Sequence, residues 1–109
     1  MGKKNRFKLS KDDSLNLFLR VLAMIKSKRK GFFKMEKLRG DLQGYCDYED
    51  NVISIDYRKE LIPTLIHECI HYLEPEWCET KVIYAEKMVI KYIEPEDCIC
   101  LLLIFSKKF

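Results

Sequence analysis

Three residues of this 109-residue chain have the types and the spacing of a catalytic metal motif: His67, Glu68 and His71, in the pattern H-E-x-x-H. On an α-helix, side chains four residues apart lie one turn apart on the same face, so both imidazoles can bind one Zn²⁺ at about 2.0–2.1 Å. The glutamate after the first histidine lies beside the metal, where it can take a proton from a water molecule that the metal activates. The motif therefore predicts Zn²⁺ as cofactor and Glu68 as general base.

A motif this short is specific only when the residues around it form a helix. The residues from Leu61 to Leu73 have an apolar pattern of helical period, which predicts a helix there. His67 and His71 fall on a separate row with Thr64, a polar stripe on an otherwise buried helix. They are also the only two histidines in the chain. The simpler alternative, two packing histidines beside a coincidental glutamate, stays open.

A catalytic zinc site needs a third protein ligand and one open position for water. Pro75 ends the first helix, because the residue before a proline disfavours helix, and a second helix is predicted from Glu76 to about Ile93. If the two helices form a tight hairpin, Glu79 lies one turn into the second helix, beside His71. The glutamates available after the motif are Glu74, Glu76, Glu79 and Glu86. We favour Glu79 as the third ligand, with Glu74 and Glu86 as the alternatives.

At this point the chain resembles a known family. The segment Thr64-Leu65-Ile66-His67-Glu68-Cys69-Ile70-His71, followed by Pro75, Glu79 and Val82, is similar to the small single-domain zincin metallopeptidases of prokaryotes and their viruses, in outline the minigluzincins. The resemblance covers about residues 44–93. It implies an α+β zincin-like core, with an N-terminal helix, a small antiparallel sheet, the metal helix and a glutamate helix. It also implies zinc at His67, His71 and Glu79, with Glu68 as general base.

One position departs from that family pattern. Minigluzincins usually carry an acidic residue four positions after the glutamate ligand, and this chain has Ile83 there. The function that the resemblance implies is zinc-dependent hydrolysis of peptide bonds, with a peptide or protein substrate lying extended against an exposed strand. The tetrahedral oxyanion needs a donor besides the metal, and the candidates are Tyr57, Tyr72 and Tyr84, among which no spacing selects.

The elements before the motif are those that would position it. Ser10 and Asp13 have the form of a capping box, which predicts a helix to about Lys30, followed by Gly31. Phe32 to Leu38 is a weaker strand candidate that also suits a helix. Tyr45 to Tyr48 and Val52 to Asp56 predict an antiparallel hairpin with a polar turn between them. The apolar stripe expected on the first helix consists of Leu15, Phe18, Leu19, Leu22 and Ile25.

The end of the chain is predicted from its prolines and apolar residues. Pro95 should close the second helix of the motif region, whose core stripe is Val82, Ala85, Val89, Tyr92 and Ile93. Cys98 to Phe105 is strongly apolar but too short to span a bilayer, so we expect a buried strand or helix end and no membrane partner.

Length and composition favour a single domain over residues 1–109, with a basic, flexible tail over residues 1–9. Residues 1–39 contain 13 Lys or Arg and 3 Asp or Glu, whereas the remainder contains 7 and 14. A basic third can hold nucleic acid through its phosphates, which is one alternative function. A proteolytically silent, zinc-binding regulatory domain is another. The five cysteines and the lack of a secretory signal predict free thiols in the cytoplasm.

Overall fold

A computed structural model describes residues 7–109 as an α+β fold of four helices and one three-stranded sheet. The N-terminal helix α1 spans Lys11–Ser27. Three strands follow, β1 at Phe33–Glu36, β2 at Gly44–Asp47 and β3 at Val52–Asp56. The chain then forms helices α2 at Leu61–Leu73, α3 at Glu79–Tyr92 and α4 at Pro95–Ser106.

The sheet is mixed, so the prediction of an antiparallel sheet was wrong for one of its three strands. Its strand order is β1-β3-β2. The predicted hairpin is confirmed, since β2 and β3 pair antiparallel with Cys46 opposite Ile53. On its other side β3 pairs parallel with β1, with Phe33 opposite Ile53. Strands adjacent in sequence predicted the hairpin, whereas the parallel pair joins strands that are separated by β2.

Helix α1 begins as predicted but ends earlier, and its buried face is shifted from the predicted stripe, with which it shares Phe18 and Ile25. The Asp13 N–H donates to Ser10 Oγ at 3.0 Å, and the Ser10 N–H donates to Asp13 Oδ2 at 3.1 Å, which completes the capping box. The helix ends at Ser27, three residues before the predicted Lys30, and Gly31 adopts φ +93° in the turn that follows. The predicted Leu19 is 59% exposed, whereas the buried apolar residues are Leu17, Phe18, Val21, Met24 and Ile25.

The cause of that difference is that α1 has apolar residues around most of its circumference. Two stripes therefore have helical spacing, and contacts with α2, α3 and α4 decide which one is buried. The core that results contains buried residues from α1, β1, β3 and the other three helices. Helix α2 lies at its centre, in contact with β2, β3, α1 and α3.

Helices α3 and α4 divide the last third of the chain differently from the prediction. The Trp77 N–H donates to the Glu74 carbonyl at 3.0 Å, which closes a turn over residues 74–77, and α3 begins only at Glu79. Glu76 therefore lies in this turn and does not open the helix. Pro95 does not end α3 as predicted, because α3 already ends at Tyr92. Pro95 is instead the first residue of α4, where a proline is tolerated.

The predicted buried segment from Cys98 to Phe105 forms most of α4, and half of its eight residues are exposed. Only Leu101 and Phe105 of this helix are buried. The reason is that α4 packs mainly against a single helix, α1. Among residues 7–109, no helix has both the length and the apolar character needed to cross a membrane.

The end of the predicted flexible tail packs against α3 and the turn before it. The Phe7 ring lies edge-on to Trp77 with centroids 4.9 Å apart, and the Leu9 N–H donates to Tyr84 Oη at 3.2 Å. Phe7 and Leu9 are apolar, unlike most of the residues before them. They therefore pack against the fold, although a flexible tail was predicted for residues 1–9. The rest of the predicted tail, residues 1–6, lies outside the described residues.

Candidate metal centre

The two histidines of the motif lie on one face of α2, as their spacing predicted. The helix has the predicted bounds, and Pro63 lies in its first turn, where its missing N–H costs no helical hydrogen bond. The ring centroids of His67 and His71 are 4.8 Å apart, with an angle of 70° between the planes. Both rings are partly buried, with 13% and 21% of the side-chain surface exposed.

Glu79 brings its carboxylate to both imidazoles. Its Oε1 atom lies 2.6 Å from His71 Nε2 and 3.3 Å from His67 Nε2. As the first residue of α3, Glu79 also places its negative charge at a helix N-terminus, where the helix dipole favours it. The ligand atoms of His67, His71 and Glu79 all lie within 4.8 Å of one another, so this group is positioned to bind a metal ion.

The donor set suits a tetrahedral ion, and one of its three spacings already matches that geometry. Two ligand atoms at 2.0–2.1 Å from a tetrahedral zinc lie about 3.3 Å from each other. The distances from His67 Nε2 to the two Glu79 oxygens, 3.3 and 3.2 Å, already have this value. The 2.6 Å contact between His71 and Glu79 is shorter, and the Glu79 side chain, 63% exposed, is free of packing that would prevent a small shift.

Glu86 contacts the opposite nitrogen of His67. Its Oε1 atom lies 3.0 Å from His67 Nδ1, and its side chain is 18% exposed. With the proton on Nδ1, His67 donates to Glu86 and keeps the lone pair of Nε2 available for a metal ion. Carboxylates that bind the second nitrogen of a metal-binding histidine fix the ring and raise its basicity. Glu86 is therefore placed to orient a ligand, and the alternative that it is the third ligand loses its support.

The position of Glu86 bears on the departure at Ile83. Ile83 is 37% exposed, and the acidic side chain that contacts His67 comes one turn later on α3. The sequence contained this signal, since Glu86 is seven residues, or two helical turns, after Glu79 and so lies on the same face. The other alternative ligand, Glu74, forms an ion pair with Arg20 at 2.9 Å instead.

The charges around His67 act on its protonation. Burial lowers the pKa of His67, but the hydrogen bond with Glu86 and the charges of Glu79, Glu68 and Glu86 outweigh it and raise the pKa above its ordinary value. Burial also opposes ionisation of Glu79, yet the hydrogen bond with His71 and the nearby histidine charges lower the Glu79 pKa. The carboxylates of Glu68, Glu79 and Glu86 thus favour a positive charge at His67, which suits a cation at this position.

Glu68 lies beside this group in a buried position, with 7% of its surface exposed. The Cys46 thiol lies 3.2 Å from the backbone carbonyl of Glu68 and 3.5 Å from its Oε1. Burial raises the pKa of Glu68, and the charges of His67 and His71 and the Cys46 hydrogen bond oppose that effect. Burial and the charge of Glu68 raise the pKa of Cys46 to about 12, so this thiol stays protonated and donates.

Gly44 in β2 sets how closely α2 approaches the sheet beside Glu68. A Cβ atom at this position would lie 2.9 Å from the Ser54 carbonyl oxygen, 3.0 Å from Glu68 Cγ and 3.1 Å from Thr64 Cγ2. All three distances are shorter than ordinary contacts, and one of them involves backbone. Glycine is therefore the residue that fits between β3 and the face of α2 that carries Thr64 and Glu68.

Two clefts meet at the group. The larger, of about 430 Å³, includes His67, Glu86 and Thr64 in its lining, and the smaller, of about 310 Å³, includes His71 and Cys46. Both clefts are also lined by Leu42, Gly44, Glu68 and Glu79. Glu68 and Glu79 thus lie where the two clefts join. Both side chains are within reach of a molecule that occupies the clefts.

The tyrosines expected as donors lie elsewhere. Tyr57, Tyr72 and Tyr84 line neither of these clefts. Tyr72 Oη accepts from Lys28 at 2.8 Å and donates to Asn51, whereas Tyr84 Oη accepts from the Leu9 N–H. The smaller cleft is lined instead by Tyr45 and Tyr48 of the β2 region, and Tyr48 Oη donates to the His71 carbonyl at 2.9 Å.

Comparison of the chain with protein-family models, curated proteins and solved structures found no match. The resemblance to zincins therefore rests on the motif residues alone and stays a prediction.

Proposed function

We propose that this protein is a zinc-dependent peptidase. The observation that supports this most strongly is the convergence of His67 Nε2, His71 Nε2 and a Glu79 oxygen on one point, with the Glu68 carboxyl group lining the same clefts. Two imidazoles and one carboxylate are a ligand set of catalytic zinc sites, which keep a fourth position open. Zinc is preferred over Ca²⁺ and Mg²⁺ because those ions take oxygen ligands.

The chemistry divides between the ion and the chain. Zn²⁺ bound by His67, His71 and Glu79 would polarise the scissile carbonyl and make a water molecule more acidic. Glu68 accepts the proton of the attacking water and delivers it to the leaving amine. The raised pKa of Glu68 brings its basicity closer to neutral pH, where a residue that first takes and then returns a proton works best. The Cys46 thiol holds one Glu68 oxygen by its hydrogen bond.

The sheet offers a place for an extended substrate. Within residues 7–109, β2 is an edge strand that pairs with β3 alone, so its outer side can bind the backbone of a peptide. Tyr45 lines the smaller cleft and is 39% exposed, so it can contact a substrate directly. The clefts on the two sides of Glu68 would then hold side chains on the two sides of the scissile bond.

The test is cleavage of casein and of a mixed peptide library by the zinc-loaded protein. Glu68→Gln removes the base and should lower kcat by about 10²–10⁴-fold while zinc binding is kept. The matched control is Glu76→Gln, an exposed glutamate in the turn before α3, which should cleave at the wild-type rate. Chelator should abolish cleavage, and added zinc should restore it.

Two outcomes would overturn the proposal. Equal cleavage by wild type and Glu68→Gln would show that the activity does not come from this site. Zinc-loaded protein that cleaves no peptide would leave the silent metal-binding domain as the better account. Nucleic-acid binding by the basic N-terminal third stays a prediction that salt-dependent DNA binding would test.

A further inference from the structure

Helix α4 has one buried and one exposed apolar face. Leu101 and Phe105 pack into the core, and Phe105 stacks edge-on against Phe33 with centroids 5.2 Å apart. On the outward side Ile99, Leu102 and Leu103 lie on one stripe of helical spacing and are 59%, 38% and 60% exposed. A surface helix ordinarily carries polar residues there, so this outward stripe is apolar surface without a partner among residues 7–109.

The two ends of the outward stripe carry opposite charges. Glu94 and Glu96 are exposed at the N-terminal end of α4, and Lys107 is exposed directly after its C-terminal end. Neither Glu96 nor Lys107 takes part in an ion pair with another of the described residues. Lys108 donates to the Lys26 and Lys28 carbonyls at 2.9 and 2.6 Å, which joins the basic end of α4 to the basic end of α1.

The charges are placed symmetrically about the apolar centre. Glu96 and Lys107 are eleven residues apart, or about 16 Å along a helix, and their midpoint falls between Leu101 and Leu102. The stripe from Ile99 to Leu103 is centred on Leu101, about half a residue from that midpoint. A surface with this arrangement is complementary to a copy of itself turned through 180°, which is the requirement for a two-fold interface.

We propose that the outward stripe of α4 binds a second copy of this chain in an antiparallel pair of α4 helices. Ile99, Leu102 and Leu103 then pack against the same stripe across the two-fold axis. Glu96 lies near Lys107 of the partner subunit, and the second such pair forms at the other end. The interface shares no residue with the metal centre, so the dimer forms with and without zinc.

A lipid surface and the N-terminal segment fit the same stripe less well. An anionic bilayer would attract Lys107 but repel Glu94 and Glu96 at the other end. Residues 1–6, Met-Gly-Lys-Lys-Asn-Arg, contain one large apolar side chain and cannot match three exposed ones. Of these three occupants, the second copy alone satisfies both charged ends and the apolar centre together.

The test is sedimentation equilibrium of the full chain over a range of concentrations, with chelator and with zinc. Leu103→Gln should abolish the dimer, whereas Met35→Gln, at a 39% exposed position on β1, should not. Glu96→Lys and Lys107→Glu should each weaken it about 2- to 30-fold, because each breaks two exposed ion pairs. The double variant should recover most of that loss, although both changes oppose the dipole of α4, and this recovery identifies pairing between copies.

Three results would overturn the proposal. The first is a protein that stays monomeric at every concentration. The second is a dimer that Leu103→Gln leaves intact, which would locate the interface elsewhere. The third is binding to phosphatidylserine vesicles that Leu103→Gln abolishes and Glu96→Lys strengthens, which would assign the stripe to a lipid surface. Unfolding midpoints of all variants check that each change leaves the fold intact.

Discussion

Helices α2 and α4 are similarly rich in apolar residues, yet they lie in opposite surroundings. Of the 13 residues of α2, six are buried, and of the 12 residues of α4, two are buried. α2 is enclosed by β2, β3, α1 and α3, whereas α4 packs mainly on α1. The apolar content of a helix therefore indicates that it needs a partner, and the rest of the fold decides whether the same chain supplies that partner.

The polar residues of the two helices differ in the same way. In α2 the polar row contains His67 and His71, which face the Glu79 carboxylate, and Glu68 is held buried beside them. In α4 the acidic and basic residues are confined to the two ends, and the outward face between them is apolar. We interpret the first arrangement as a chemical site within one chain and the second as a surface between chains.

The two helices should differ most in how much free energy of unfolding is lost when an apolar side chain is removed. Ile70 of α2 is fully buried, so Ile70→Ala should lower the free energy of unfolding by about 2–5 kcal/mol. Leu103 of α4 is 60% exposed, so Leu103→Ala should cost less than about 0.5 kcal/mol in the monomer. Urea unfolding at low protein concentration measures both, and similar losses would contradict the account of α4.

A smaller loss is expected where β2 meets α2. Gly44→Ala should lower the free energy of unfolding by about 1–3 kcal/mol, because the added Cβ meets Glu68, Thr64 and the Ser54 carbonyl at 2.9–3.1 Å. It should also reduce cleavage by moving Glu68. The control is Cys100→Ala on the exposed side of α4, which should leave stability unchanged. An equal effect of the two substitutions would show that the close approach at Gly44 does not matter.

A third change separates the charged groups of the two regions. Glu86→Gln weakens the contact that orients His67, so zinc affinity should fall by about 10- to 100-fold, as is typical for residues that hold a metal ligand. Glu96→Gln removes an exposed glutamate of α4 and should leave zinc affinity unchanged. Competition with a chromophoric chelator measures both, and unchanged affinity in Glu86→Gln would remove that residue from the site.

The sequence alone predicted α2 and the metal group well, for local reasons. Pro63 and Pro75 mark the two ends of α2, and the i,i+4 spacing puts both histidines on one face whatever the rest of the fold does. Glu79 was favoured because a tight turn between two helices brings the first turn of the second helix beside His71 at the end of the first. These inferences need only neighbouring residues, and they agree with the bounds and distances observed.

The features that sequence reasoning missed depend on distant contacts. The parallel pairing of β1 with β3 and the buried face of α1 are selected by partners far along the chain. Pro95 was ambiguous, because a proline after a helix and a proline at the start of the next one look alike in sequence. The exposure of α4 could not be predicted, since an apolar run gives no information about whether its partner belongs to the same chain.

The most direct test of the metal centre is calorimetric titration of the metal-free protein with ZnCl₂. We predict one zinc per chain, with Glu76→Gln equal to wild type and with affinity lowered more than about 100-fold in His71→Ala and Glu79→Gln, since loss of a ligand should exceed the loss of an orienting residue. Less than one zinc per chain, or unchanged affinity in both ligand variants, would contradict the assignment of His67, His71 and Glu79 as a metal site.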